Sequence, residues 1–306
     1  MDGAVSTAKE LPRKRDLDRA GGAAKKRSKA KGGSKSEQAP RGRKYTVTLA
    51  LPGSIVANAQ TAELKTYLCG QIARAAVVFN IDEIVVFSDR RTPGDSSKPI
   101  EGRFQGAVKG ANFDADVFLA RILQYLETPQ YLRKLLFPVH KDLRYAGLLN
   151  PLDCPHHPRM NAFPAYREGV VVDTPPDGGQ CSHVNVGLGK DIVIDRRLQK
   201  NVRVTVKVDK STRYERVVRG VAVSANEPRE EAGIYWGYST RIASGLTAVM
   251  EEGPYGGYDL TIGTSERGAL IEETDFDQES KANGFEHLLV VLGGVAGLED
   301  IVQQDQ

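Results

Sequence analysis

The chain has 306 residues, 40% of them apolar, enough for about two domains with real cores. No run approaches the roughly 18–20 apolar residues of a membrane span, so no membrane partner is expected, and the N-terminus has no apolar stretch of the secretory kind. The three cysteines, Cys69, Cys154 and Cys181, are scattered and form no CxxC, which argues against a disulfide framework or a zinc ribbon.

The net charge of +3 conceals an asymmetry. Residues 1–44 hold 14 Lys/Arg and 5 Asp/Glu, a net +9, which leaves −6 on the rest. Residues 1–43 are also poor in aromatic and branched side chains and are expected to be a disordered basic tail. Such a tail binds nucleic acid through counterion release, without sequence preference. The run Lys25-Lys-Arg-Ser-Lys-Ala-Lys31 reads either as a nuclear address or as a solubilising segment.

Order is expected from about residue 44. Tyr45-Thr-Val-Thr-Leu-Ala-Leu51 alternates with Val47, Leu49 and Leu51 on one face, which predicts a strand ended by Pro52-Gly53-Ser54. Leu64, Leu68, Ile72 and Phe79 predict an amphipathic helix over 61–79, with Thr61 as its N-cap. Ile81-Asp-Glu-Ile-Val-Val-Phe87 reads as a buried parallel strand, completing a βαβ unit. Residues 88–112 read as a long polar loop. Asp114 predicts a cap for a helix to about Glu127, with Phe118, Ile122 and Tyr125 on one side, and Thr128-Pro129 opens another through Phe137.

The character changes after about 150. Residues 151–164 are proline-rich and read as a linker. Short apolar runs at 169–173, 183–186, 191–194, 202–208 and 216–223 predict a small OB-like barrel over 165–228. In 202–208 the valines point one way and Arg203, Thr205 and Lys207 the other, a face suited to a phosphate backbone or simply to solvent. The α/β pattern returns over 229–306, with a strand near 234–242 holding the single tryptophan, a short helix near 244–251, and two strands that end in small residues. The first of these runs into Ile262-Gly-Thr-Ser-Glu-Arg-Gly268 and the second into Leu292-Gly-Gly-Val-Ala-Gly-Leu298. Glycine at the end of a buried strand lets a ligand approach the backbone, and ligands of open α/β sheets sit beyond the carboxyl ends of their strands.

Several chemistries are disfavoured. Gly293-Gly294-x-x-Gly297 is not GxGxxG and no acidic residue follows at the dinucleotide spacing; no P-loop and no GxSxG elbow is present. Cys154-Pro-His156-His157 matches no standard zinc spacing, so no metal is expected, and His140, His183 and His287 read as structural or exposed. Thr264 to Arg267 either borders a cationic cofactor or lets Ser265 cap a turn.

The stretch from Tyr45 to about Glu299 resembles the SPOUT RNA methyltransferases, in particular the eukaryotic centromere-associated branch with an inserted OB-like domain. The segments that carry the resemblance are Leu51-Pro-Gly-Ser-Ile55 with Asn58-Ala-Gln60, Tyr67 to Ala76, Asp82 to Phe87, Tyr125 to Arg133, Ala146 to Leu152, Tyr235-Trp-Gly-Tyr238 and Asp259 to Gly268. The resemblance implies an α/β fold of the trefoil-knot type, in parts 44–150 and 229–306, interrupted by the barrel. It also implies a homodimer that takes S-adenosylmethionine and methylates RNA, with uridine N3 of large-subunit ribosomal RNA as the expected target. Cofactor-binding residues carried over are Ile262, Gly263, Thr264, Ser265, Glu266 and Gly268 in one loop and Leu292, Gly293, Gly294, Gly297 and Leu298 in the other. A third loop is expected from a strand and helix after about residue 310, so the chain as given is expected to lack part of the knot. Asn58 and Gln60 are candidates for reading a flipped base, and Arg74, Arg90, Arg203 and Lys207 for holding phosphate; the catalytic base is not identified. Nuclear or nucleolar localisation, with spindle or kinetochore association, is expected of that branch. The alternative is a non-catalytic RNA-binding or spindle-associated scaffold derived from the family.

Overall fold

The computed structural model describes residues 42–89, 113–173, 181–274, 284–294, 297–299 and 301–302. The basic tail to residue 41, Arg90 and nearly all of the 88–112 stretch lie outside these described residues.

Strand β1 (Thr46–Pro52) packs Val47, Leu49 and Leu51 on one face, as its alternation predicts. Its other face, Thr46, Thr48 and Ala50, is buried too, because the sheet is covered on both sides. Helix α1 (Ala62–Val78) starts at Thr61, whose hydroxyl accepts from the Leu64 amide at 3.3 Å. The helix is where it was expected, and its stripe is met in part: Ile72 packs on the core and Leu68 is half-buried. Thr66, Cys69, Ala73 and Ala76 face inward, while Leu64 is 53% and Phe79 74% exposed. Small side chains at this spacing let the helix lie close to its neighbours, and Phe79 already stands beyond the last helical turn.

Strand β2 (Glu83–Phe87) is buried along its whole length and pairs parallel to β1. Helix α2 (Ala115–Glu127) is capped by Asp114, whose carboxylate accepts from the amides of Asp116 and Val117. Helix α3 (Gln130–Leu136) departs from expectation. Thr128 does not cap it; its hydroxyl donates to the Gln124 carbonyl at 3.0 Å, and Pro129 takes the cap position with no side-chain bond.

The five predicted β segments form β3 (Tyr166–Asp173), β4 (Ser182–Asn185), β5 (Ile192–Ile194), β6 (Arg203–Val208) and β7 (Val218–Val223), closed into a barrel in the order β3-β4-β5-β7-β6. Val171, Val184, Ile192, Ile194, Val206 and Val218 are among the side chains that fill it. Strand β3 begins earlier than expected, because the charged pair Arg167-Glu168 is buried in the ladder opposite Val206 and Thr205. A short helix, α4 (Glu227–Ala232), follows; the sequence reading did not anticipate it, and Gly233 closes it in the left-handed conformation at φ 65°.

The chain then adds β8 (Ser239–Ala243), α5 (Leu246–Glu251), β9 (Leu260–Gly263) and β10 (His287–Val291). The sheet order is β8-β2-β1-β10-β9, with every pairing parallel. Helices α1 and α2 pack on one face; α5 with Leu298 and Ile301 packs on the other. The apolar strand β10 is interior, between β1 and β9, so its backbone is paired on both sides. Because all five strands run the same way, their carboxyl ends share one rim.

A candidate ligand rim and a charged seam

At that rim the two glycine-ended strands lie side by side, with Val291 in register with Gly263. The loops that leave them are tied to the sheet by backbone bonds: the Thr264 amide donates to the Val291 carbonyl at 3.0 Å, and the Leu292 amide to the Ala50 carbonyl at 2.9 Å. Two glycines here are conformational requirements. A Cβ on Gly293 would stand 2.6 Å from the Leu298 nitrogen and 2.7 Å from the Gly297 carbonyl carbon. Gly297 holds φ at +90°, and its amide closes a turn onto the Gly294 carbonyl at 3.0 Å. Ile262 and Leu298 are half-buried beneath; Gly263, Thr264, Ser265, Glu266 and Gly268 are exposed. Ser265 bridges the loops. Its hydroxyl donates to the Glu299 carboxylate and accepts from the Arg267 amide at 3.0 Å. That hydrogen bond, first, holds the Glu299 carboxyl below its ordinary range, with Arg267 assisting. Ser265 therefore does cap a turn, and in doing so it joins the two loops that the resemblance assigned to one pocket.

The rim continues past β1 and β2. Ser54 donates to the Asp89 carboxylate, and Gly294 lies against both. Neither residue was singled out from the sequence, although Ser88-Asp89 directly after a buried strand carries the same positional signal as the glycine loops. Asn58 and Gln60 are exposed in the connection from β1 to α1, on this side of the sheet. Arg74 is exposed on α1, but twelve residues beyond Ala62 places it about 18 Å down the helix, at 1.5 Å per residue, away from the rim. Arg90 lies outside the described residues.

Arg203 and Lys207 are at the other end of the sheet. Arg203 does not face outward along a free surface. Its guanidinium donates to both Glu127 oxygens at 2.6 and 2.8 Å and to Glu168 at 2.7 Å. Glu168 also accepts from Thr205 and from Trp236 Nε1, each at 2.5 Å, and His156 Nε2 lies 3.1 Å from Glu127. Burial works to raise the Glu127 carboxyl, but the Arg203 guanidinium overrides it and holds the group well below the usual range. Glu168 is lowered in the same way. A cavity of about 600 Å³ with a mixed lining opens at this seam, bordered by Asp82, Glu127, Glu168, Arg203 and Arg229 and by apolar side chains such as Phe137. Each of these charges already has an opposite partner. The expected phosphate-tracking face is thus, at Arg203 and Thr205, the junction between barrel and helix layer. Lys207 stands at its margin, half-exposed and paired with Glu227 and Glu231. The 151–164 segment is likewise more than a linker: Cys154 and His156 are buried in it, and His156 and His157 both reach the Glu127 carbonyl. Among the described residues, no group of three or more His, Cys, Asp or Glu is placed to hold a metal ion.

The rim offers backbone at close range, a carboxylate and hydroxyls, and no side chain where Gly263, Gly293 and Gly294 stand. The family of the chain follows from its similarity to known proteins. A family described as "Putative RNA methyltransferase" matches residues 46–306. A mouse protein named 28S rRNA (uridine-N(3))-methyltransferase is 50% identical over 272 residues, covering 88% of this chain and 68% of its own length. The human protein of that name is 51% identical over 266 residues, with 86% and 68% covered. The Drosophila melanogaster protein of that name is 46% identical over 264 residues, with 85% of this chain and 53% of its own length covered. With nearly all of the described structure inside the match, this chain belongs to that RNA methyltransferase family.

Proposed function

We propose that the protein is an S-adenosylmethionine-dependent RNA methyltransferase of the SPOUT class that methylates N3 of a uridine in large-subunit ribosomal RNA. The observation that carries the reading is the pair of parallel strands β9 and β10, delivering two glycine loops, clipped together by Ser265 and Glu299, to one rim of the sheet. The names and identities of the relatives support the uridine target. S-adenosylmethionine, when bound, supplies an electrophilic methyl carbon. The residues that would hold it are Ile262 to Ser265, Gly268, Leu292 to Gly294, Gly297 and Leu298, with Glu266 at the outer edge. The glycines admit the ligand to the backbone, and Ser265 and Glu299 provide polar contacts at its border.

In this reading the closed barrel is an OB-like module that presents RNA, and Asn58 and Gln60 face the base from the rim. The enzyme contributes mainly proximity and orientation. It works as a homodimer in the nucleus or nucleolus, with spindle or kinetochore association as in the branch it resembles.

Calorimetric titration of S-adenosylhomocysteine into the chain tests the pocket, and mass spectrometry of ribosomal RNA incubated with chain and cofactor tests the product. Saturable binding and a methyl group on uridine N3 are expected. Absence of binding would leave an RNA-binding scaffold and sink the enzymatic reading.

A further inference from the structure

Two carboxylates flank the Gly293-Gly294 turn, and they differ in their surroundings. Glu299 stands on the β9 side and is occupied by the Ser265 hydroxyl within the loop pair. Asp89 stands on the β2 side, at the carboxyl end of a fully buried strand, and receives the Ser54 hydroxyl from the end of β1. The two are bridged by glycine backbone. A side chain at Gly294 would begin 3.4 Å from Asp89 Oδ2 and 3.7 Å from Ser54 Oγ. Asp89 therefore borders the same small space as the glycine loop, across the strands from Glu299, and it is only partly covered. The strand that leads to Asp89 is paired in register on both sides as far as Phe87, and the Ser88 amide donates to the Ala243 carbonyl at 3.1 Å.

Methylating uridine at N3 has a requirement that methylating a ring nitrogen with a free lone pair does not: a proton must leave N3. We infer that Asp89 is the general base of the reaction, with Ser54 as the residue that orients its carboxylate. The inference rests on the methyltransferase reading above. The N3–H bond breaks and its proton passes to an oxygen of Asp89. The electron pair left on N3 forms the new bond to the methyl carbon of the sulfonium donor, and the carbon–sulfur pair stays on sulfur. Asp89 then releases the proton to water. Ser54 donates to Oδ2, the oxygen nearest Gly294, which leaves Oδ1 outside that hydrogen bond to take the proton.

The test uses the chain with S-adenosylhomocysteine or S-adenosylmethionine and a short uridine-containing RNA. In the binding arm, the wild-type chain loaded with S-adenosylhomocysteine binds the uridine RNA more than about tenfold tighter than the same RNA carrying N3-methyluridine, because the latter offers Asp89 no proton. Asp89→Ala reduces that preference to about threefold or less. In the kinetic arm, Asp89→Asn lowers turnover by about 10²-fold or more, the range of a lost general base, and regains rate as pH rises and N3 loses its proton to solvent. Titration of S-adenosylhomocysteine is expected to give both variants the wild-type affinity. An active wild type with an equally active Asp89→Asn overturns the role of Asp89 and leaves the methyltransferase reading standing. Loss of cofactor binding in the variants also overturns it, since Asp89 would then be a support for the Gly294 loop. A wild-type chain that methylates nothing removes the function and the base together.

Discussion

At the amino end of the sheet, charged side chains from distant segments meet with little solvent between them: Arg203 with Glu127 and Glu168, Arg43 with Asp82, and Arg241 with Glu83. At the carboxyl end there are glycines, two hydroxyl–carboxylate contacts and exposed backbone. Both ends serve the same parallel sheet, yet one is a charged junction and the other a glycine-bordered rim. A buried charge that loses its partner is costly, so the amino end resists rearrangement. The glycine rim is held by backbone bonds and by the Ser265–Glu299 contact, with no buried charge among the described residues to constrain it. The arrangement fixes the barrel relative to the helix layer while keeping the opposite rim open.

The largest expected effect comes from breaking the junction. Arg203→Met takes from Glu127 and Glu168, which are 7% and 3% exposed at the side chain, the guanidinium they share. Removing one partner of such a buried set costs about 3–5 kcal/mol. Urea unfolding followed by circular dichroism should show that loss, while affinity for S-adenosylhomocysteine below the transition stays within about twofold, because the rim is at the far end of the strands. A variant as stable as wild type would mean that the seam contributes packing and not charge.

The same junction carries a pH dependence. Burial, first, then neighbouring His156 and, least, Arg133 depress the His157 imidazole from 6.5 to about 4, against the Glu127 carbonyl and carboxyl, which favour the charged ring. The unfolded chain thus takes up this proton at a higher pH than the folded chain. Stability from His157 is complete above pH 6.5 and is lost as pH falls toward 4, by about 3 kcal/mol at the acid end. His157→Gln should flatten the stability profile over that window. Below it, the lowered Glu127 and Glu168 continue the loss in both proteins, because their folded carboxyls are more acidic than their unfolded ones.

How legible these two ends were in the sequence follows from the range of the forces that build them. Strands β1, β2, β9 and β10, the caps Thr61 and Asp114, and the glycine loops are local patterns, and each stands where its pattern put it. The seam is not local. Arg203 reaches Glu127 across 76 residues and Glu168 across 35, and in the sequence it looks like the polar side of an alternating strand. On α1 the apolar spacing finds Ile72 on the core side but not the exposed Leu64 and Phe79, because close packing there selects the small Thr66, Cys69, Ala73 and Ala76. Asp89 was readable in principle from its place at the end of a buried strand, but a single acidic residue before a polar loop carries no pattern of its own.

At the rim, Gly293→Ala places a methyl group within 2.6 Å of the Leu298 nitrogen, so the turn must shift. The turn is half-buried and the atoms met are backbone, so the displacement falls on the loop itself. Cofactor affinity should fall by about tenfold, which is about 1.4 kcal/mol, read by calorimetry. Unchanged affinity would place the ligand away from this loop.

The smallest effect is expected between the two extremes, at Lys207. Its ammonium group pairs with Glu227 at 2.7 Å and Glu231 at 3.3 Å, but it is 47% exposed. Exposed ion pairs of this kind contribute about 0–1 kcal/mol, so Lys207→Ala should leave the unfolding midpoint nearly unmoved. Its use lies in a second readout. If the outer margin of the barrel follows an RNA backbone, Lys207→Ala lowers the slope of log affinity against log salt by about one. If the slope is unchanged, the Glu227 and Glu231 carboxylates hold the lysine for the protein itself. The seam would then extend to the barrel's edge, and RNA would have to engage the barrel on another face.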